Sequence, residues 1–118
     1  MGFRIEYEGN IIGNNQRYAF RRAKKNTEEY ENFKTYLGYL TKQQNKNTPM
    51  IEGKIEVIFF YNSKHDVDNV TKGIFDALQG IVYANKDSQI VKLHIEKNKQ
   101  IEKGFIAWIK ELPDDTST

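Results

Sequence analysis

Cysteine is absent from the 118 residues, which excludes disulfides and thiolate zinc sites and is compatible with a reducing cytoplasm. No apolar run approaches the roughly 20 residues that a membrane-spanning helix needs. The opening MGFRIEYEGN carries acids and has no apolar stretch, so it does not read as a signal peptide. A large charge of one sign is missing too: the net charge is only +2, so the total does not mark a nucleic-acid binder. Neither an internal repeat nor an interdomain linker is visible. What remains is an ordinary globular composition, 29% charged and 38% hydrophobic, sized for one domain over 1–118 with 112–118 as a fraying tail.

Charge is unevenly spread. The stretch NNQRYAFRRAKK, residues 14–25, holds Arg17, Arg21, Arg22, Lys24 and Lys25 with no acid, and Tyr18 and Phe20 sit among them. Such a run can supply salt-dependent, largely sequence-blind contacts to a nucleic-acid backbone. Its aromatics can stack on bases or can equally turn into the core.

Periodicity sets the order of elements. Phe3, Ile5 and Tyr7 alternate with charged residues, as in a half-buried strand. Asn26 or Thr27 can cap a helix that starts with Glu28 and Glu29 and carries Tyr30, Phe33, Leu37 and Leu40 as its apolar stripe. A second strand is expected near 53–61, a third over 89–96 and a fourth over 104–111, with 98–104 as a short hairpin-type connection. Ile58, Phe60 and Trp108 fall opposite the Ile55, Val57, Phe59 and Phe105, Ala107, Ile109 sets, which fits a sheet covered on both sides, once by helices and once by a partner. The fold expected is α+β: a small mixed β-sheet in the order β-α-β-α-β-β, with two helices packed on one face.

Residues 65–80, HDVDNVTKGIFDALQG, combine a helix pattern with clustered acids. Val70, Ile74, Ala77, Leu78 and Ile81 share one helical face, and Asp68, Lys72 and Asp76 recur every four residues on another. Two readings stay open at this level. In the first, Asp68 caps the helix, Lys72 pairs with Asp68 and Asp76, and Asp66 is solvated. In the second, Asp66 and Asp68 are close enough to repel unless a cation lies between them, and Mg²⁺ takes such hard carboxylate ligands beside a phosphate. A calcium loop of the EF-hand type is rejected, since Val70, Thr71 and Ala77 stand where it requires an oxygen ligand, glycine and glutamate. His65 reads as a solvated turn residue, and Gly73 inside the helix points to another backbone approaching closely, across a dimer interface for instance. Asp87, in a polar turn before the third strand, can approach the same end of the sheet as Asp66 if the helix packs back across it.

Together these blocks resemble the RusA-type Holliday-junction resolvase family. The pattern D-x-D-N-x-x-K-x-x-x-D-A-L is met by Asp66, Asp68, Asn69, Lys72, Asp76, Ala77 and Leu78, and the second block by Asp87, Ser88, Gln89 and Ile90. The resemblance implies a bacterial or phage-encoded cytoplasmic endodeoxyribonuclease of recombination and repair. It would work as a homodimer and resolve four-way DNA junctions by paired, Mg²⁺-dependent nicks, with Mn²⁺ as the alternative ion and no organic cofactor or membrane. By position, Asp66, Asp68 and Asp87 would be the metal-binding carboxylates, and Lys72 the essential lysine near the scissile phosphate. The family's usual acid before the last aspartate is replaced here by Lys86. That substitution keeps a second possibility in view, a branched-DNA-binding module with the same fold and little or no catalysis.

Overall fold

The computed structural model describes residues 2–12, 23–84 and 87–113, the side chains of 23–27 and 87 excepted. Its elements are β1 (Gly2–Glu8), α1 (Ala23–Gln44), β2 (Ile55–Asn62), α2 (Val67–Leu78), a 3-10 turn (Asp87–Gln89), β3 (Ile90–Lys97) and β4 (Gly104–Glu111). The chain is α+β as expected, with one four-stranded mixed sheet in the order β1-β4-β2-β3 and two helices. Residues 85–86 and 114–118, including Lys86 and most of the expected tail, lie outside the described residues.

The alternation seen in the sequence is realised almost residue for residue. Phe3 and Ile5, Ile55, Val57, Phe59 and Tyr61, and Phe105, Ala107 and Ile109 turn to one face and are buried. Against that face pack Phe33 and Leu37 of α1 and Val70, Ile74 and Leu78 of α2, so both helices share one core with the sheet. Burying a large aliphatic or aromatic side chain contributes about 1.5–3 kcal/mol, so this cluster carries most of the driving force for folding. Phe59 stacks on Phe105 at 5.2 Å between ring centres and meets Phe75 of α2 edge-on at 6.0 Å. The opposite face of the sheet is uncovered by any described element: Ile58 and Phe60 are half-buried there, and Trp108 is 36% exposed.

Strand pairing corrects one expectation. Residues 98–103 are not a hairpin, because β3 and β4 do not pair. β4 runs antiparallel between β1 and β2, while β3 lies parallel to β2 on its other side. The reason lies in the faces of the strands. Phe105, Ala107 and Ile109 are buried and Ile106 and Trp108 cover much of the other face, which suits a central strand. β3 places Lys92, His94 and Glu96 on one face and leaves Leu93 49% exposed on the other, so it belongs at the edge. The β2-α2-β3 crossover then takes the usual parallel form. Gly104 opens β4 with φ +133°, and a Cβ there would drive into the Tyr7 carbonyl of the adjoining strand.

Two helix starts also differ from expectation. α1 begins at Ala23, so Asn26 and Thr27 lie within it rather than capping it, and Glu28 and Glu29 fall in its second turn. Ala23, Lys24 and Lys25 are strong helix formers and extend the helix into the basic stretch. α2 has Asp66, not Asp68, as its N-cap: Asp66 is extended (φ −72°, ψ 162°), and its carbonyl accepts the first helical bond from Val70 N–H at 3.0 Å. At the far end Gly80, with φ +87°, reverses the chain just past the helix, the left-handed position that glycine fills at a helix C-terminus.

The glycine within α2 is explained by a side chain and not by a backbone. A Cβ on Gly73 would lie 2.8 Å from the hydroxyl and 3.0 Å from a ring carbon of Tyr30, which is fully buried on α1. Gly73 is thus where the two helices touch within one chain, which corrects the expectation of another backbone there.

Candidate active site

β2 carries the chain to one end of the sheet, the turn 63–66 reverses it, and α2 returns along the core face. Asp66 and Asp68 therefore stand at the end of the sheet where β2 finishes, and both are exposed. Asp66 caps the helix through its backbone only, its carboxylate making no capping hydrogen bond. Asp68 accepts from the Asn69 N–H at 3.1 Å through Oδ1. Both carboxylates act on the buried Tyr61 at the end of β2: its hydroxyl is pushed above its ordinary pKa first by burial, then by Asp66 and by Asp68. Two carboxylates beside one neutral phenol form a locally negative end of the sheet.

Lys72 follows Asp68 by about one helical turn. The expected helix-surface bridge is not made: among the described residues, ion pairs within 4.0 Å join only Arg4 to Glu6 and Lys34 to Glu31. Exposed pairs of this kind contribute little, so nothing holds the ammonium to Asp68 or Asp76. Instead Lys72 lines a groove between α2 and β3 together with Asp68, Thr71, Phe75, Asp76, Val91 and Leu93.

His65 is not simply a solvated turn residue. It is half-buried, and its Nδ1 lies 3.1 Å from Asn69 Nδ2, while the ring also hydrogen-bonds the Ile11 backbone. Burial, and then Lys64, hold its pKa below the ordinary value, so at neutral pH the ring is uncharged. Neutral Nδ1 accepts from the amide of Asn69. This explains the asparagine that follows the second acid: Asn69 and His65 together tie the start of α2 to the segment leading into the basic stretch. Asn10, Ile11 and Ile12 line a cleft there with Asn62, Ser63, Lys64, His65 and Lys103, beside the two carboxylates. Of the basic residues themselves, Arg17, Arg21 and Arg22 lie outside the described residues, and Lys24 and Lys25 enter only through the backbone of α1. His94 is exposed on the sheet face.

Asp87 is placed elsewhere. It opens the 3-10 turn before β3, and because β3 is parallel to β2, its first residue Ile90 pairs with Ile55, where β2 begins. From Ile55 to Tyr61 the strand advances by about 20 Å at roughly 3.3 Å per residue. The expectation that Asp87 of a chain approaches its own Asp66 and Asp68 at one end of the sheet therefore fails on topology. The turn is pinned where it is by Gln89, which is buried and donates through Nε2 to the carbonyls of Ile51 (3.0 Å) and Gly53 (2.8 Å). The glutamine of the second block is thus an anchor, a role that its spacing alone did not reveal. Among the described residues no three histidine, cysteine or acidic side chains come together to hold a metal ion. The pair Asp66 and Asp68 fits part of a Mg²⁺ site: hard oxygen donors, exposed, with no cation among the described residues paired to them.

A family model described as endodeoxyribonuclease RusA matches residues 8–106. That span takes in β1's last residue, both helices, both acidic blocks and the start of β4. No individually curated protein matches significantly.

Proposed function

Because the chain belongs to the RusA endodeoxyribonuclease family, we propose that it resolves four-way DNA junctions by paired, metal-dependent hydrolytic nicks, as a homodimer. The observation that carries this reading is the pair Asp66 and Asp68, uncompensated by any described cation, with Asp68 about one turn before Lys72, which pairs with no described acid. Asp66 and Asp68 hold Mg²⁺, or Mn²⁺, with Asp87 as the third carboxylate. The ion, when bound, offsets phosphate charge and eases deprotonation of the attacking water. Lys72 directs its ammonium at the phosphate from the groove and stabilises the charge that builds on its oxygens as the bond breaks. His65 and Asn69 keep the start of α2 fixed, so that both carboxylates are preorganised. Arg17, Arg21, Arg22, Lys24 and Lys25 grip the backbone of the junction arms.

The position of Asp87 supports a further feature of the same reading. Oxygen ligands of one Mg²⁺ lie about 2.1 Å from it, so Asp87 cannot join Asp66 and Asp68 of its own chain across about 20 Å. Each site draws Asp87 from the partner subunit. Two symmetric sites on one two-fold axis then match the two strands that a resolvase cuts.

The test is a four-way junction with one arm end-labelled, incubated with and without Mg²⁺ or Mn²⁺, beside a linear duplex of the same sequence. Ion-dependent nicks in the junction and not in the duplex are expected. Junction binding with no nicking under either ion would leave the chain as a branched-DNA-binding module.

A further inference from the structure

We propose that the cleft beside the carboxylates is a phosphodiester-binding site in its own right: Lys64, Lys97 and Lys103, set across the end of the sheet, hold the backbone of the DNA strand that continues past the bond to be cut. This rests on the nuclease reading above, and it adds a substrate contact that neither the two acidic blocks nor the basic stretch supplies.

Strand register brings the three lysines together. β2 ends at Asn62, and both of its neighbours come level with it there: Lys97 of β3 pairs with Tyr61, and Gly104 of β4 pairs with Asn62. Lys97 and Lys103 therefore stand on either side of β2, their backbones about 10 Å apart at two strand spacings of roughly 4.8 Å. Lys64 lies between them, in the turn that leads to Asp66. Lys64 and Lys103 both line the cleft, which at about 520 Å³ has room for a length of sugar-phosphate backbone and not only for an ion. Burial lowers the His65 pKa most, and Lys64 and then Lys97 lower it further, so the Lys97 ammonium also lies near that ring.

Charge is sorted at this end of the sheet. Lys64, Lys103 and His65 line the cleft, and no acid does. Glu6, Glu8 and Glu102 line a separate cleft, and no lysine or arginine does. Lys64, Lys97 and Lys103 are exposed, and none of them forms an ion pair with a described acid. Asp66 and Asp68 repel an anionic strand as it approaches, and three cations at the same end of the sheet offset that repulsion. Lys72 lies in the groove on the α2 side, which Asp68 also lines, so cations stand on both sides of the acidic pair. A strand that crosses the carboxylates thus meets a cation before the scissile phosphate and another after it.

The rim of the cleft is fixed before any ligand arrives. Gly9 N–H donates to the Lys103 carbonyl at 2.8 Å, and Asn98 N–H donates to the Tyr61 carbonyl at 2.8 Å. Asn62 donates through Nδ2 to the Ile101 carbonyl at 2.9 Å, and the Tyr7 hydroxyl donates to the Asn10 carbonyl at 2.7 Å. These bonds join the ends of β1, β2 and β3 to the segment that leads into β4. Only the lysine side chains lose freedom when a strand binds, which keeps the entropic cost of the contact small.

The test uses four-way junctions in which one phosphate at a time near the branch point is replaced by an uncharged methylphosphonate. Binding is measured with Ca²⁺, and cleavage separately with Mg²⁺ or Mn²⁺. Lys97→Gln and Lys103→Gln, both at exposed positions, should fold as the wild type does and each weaken junction binding by about threefold to tenfold. Together they should lower the slope of log binding constant against log salt by about 2. Lys110→Gln, exposed and paired with Glu56 near the start of β2, removes the same charge at the opposite end of the sheet and should leave binding within about twofold of wild type. In the wild type, neutralising a phosphate held by the cleft should weaken binding by about as much as losing one lysine. In the double variant, neutralising that same phosphate should cost nothing further, while the other positions cost what they did before. If every phosphate costs the double variant as much as the wild type, the cleft is not a phosphate site. Cleavage without such a coupled phosphate overturns the cleft and leaves the nuclease standing, whereas a coupled phosphate without cleavage supports the cleft and counts against the nuclease. A junction that the wild type does not bind overturns both.

Discussion

Mixing two inactive chains should restore activity, and the size of the restoration follows from the topology. Take Asp66→Asn and Asp87→Asn, refold them together in equal amounts, and measure ion-dependent nicking of a labelled junction. Alone, each variant lacks one carboxylate in every site, and its nicking should fall by at least about a hundredfold, the scale of losing a charge that stabilises the transition state. In a heterodimer the two lesions meet in a single site. The other site takes Asp66 and Asp68 from the Asp87→Asn chain and Asp87 from the Asp66→Asn chain, and it is intact. Random pairing makes half of the dimers mixed, and half of the sites in those are whole, so about a quarter of the wild-type site concentration returns. Single nicks should recover to that level. Paired nicks should recover much less, because one dimer then holds one working site. If Asp87 served its own chain, no mixture would contain an intact site. A mixture no more active than its two parents, with subunit exchange verified by the masses of differently tagged chains, would refute the shared site and with it the reading of the parallel β2–β3 pairing.

Asp68→Asn and Lys72→Ala should each abolish cleavage while the melting temperature stays near wild type, since both residues are exposed and neither holds an ion pair with a described residue. Gly73→Ala should lower stability in spite of the roughly 1 kcal/mol that alanine gains in a helix interior. The new methyl meets the buried Tyr30 ring, and overpacking of about 1–3 kcal/mol outweighs the gain, giving a melting temperature lower by several degrees. Replacing Arg17, Arg21 and Arg22 with alanine should reduce the dependence of log binding constant on log salt by about 2 to 3 for a duplex-armed junction. Tyr7 and Tyr61 are both raised above the ordinary phenol pKa of 10.0, chiefly by burial, so in an ultraviolet titration both should ionise above that value. Their contribution to stability is complete below pH 10 and is lost as the pH rises through the folded-state values, and Tyr7→Phe should remove part of the late absorbance change.

Local chemistry was legible in the sequence where one element decides it alone. The stripe Val70, Ile74 and Leu78 specifies which face of α2 is buried, whatever it packs against. The alternation in β2 does the same, and the acids at 66 and 68 cannot avoid the end of a strand that leads into a helix. What stayed hidden depends on a second segment far along the chain. Gly73 is small because of Tyr30, His65 is tied to the backbone of Ile11, and Gln89 is fixed by the carbonyls of Ile51 and Gly53. None of these partners shares a period with the residue it explains.

The order of strands is the most consequential case. Residues 90–97 and 104–111 both alternate, and a connection of six residues between them reads as a hairpin. Their difference lies in the second face: Ile106 and Trp108 in β4 against Lys92, His94 and Glu96 in β3. Polarity on that face sends β3 outward to an edge and lets β4 close the sheet with β1. Once β3 is an edge strand parallel to β2, Asp87 must start it at the end remote from Asp66. A single polar face on one strand thus separates the two acidic blocks within a chain and leaves that strand at the edge of the sheet.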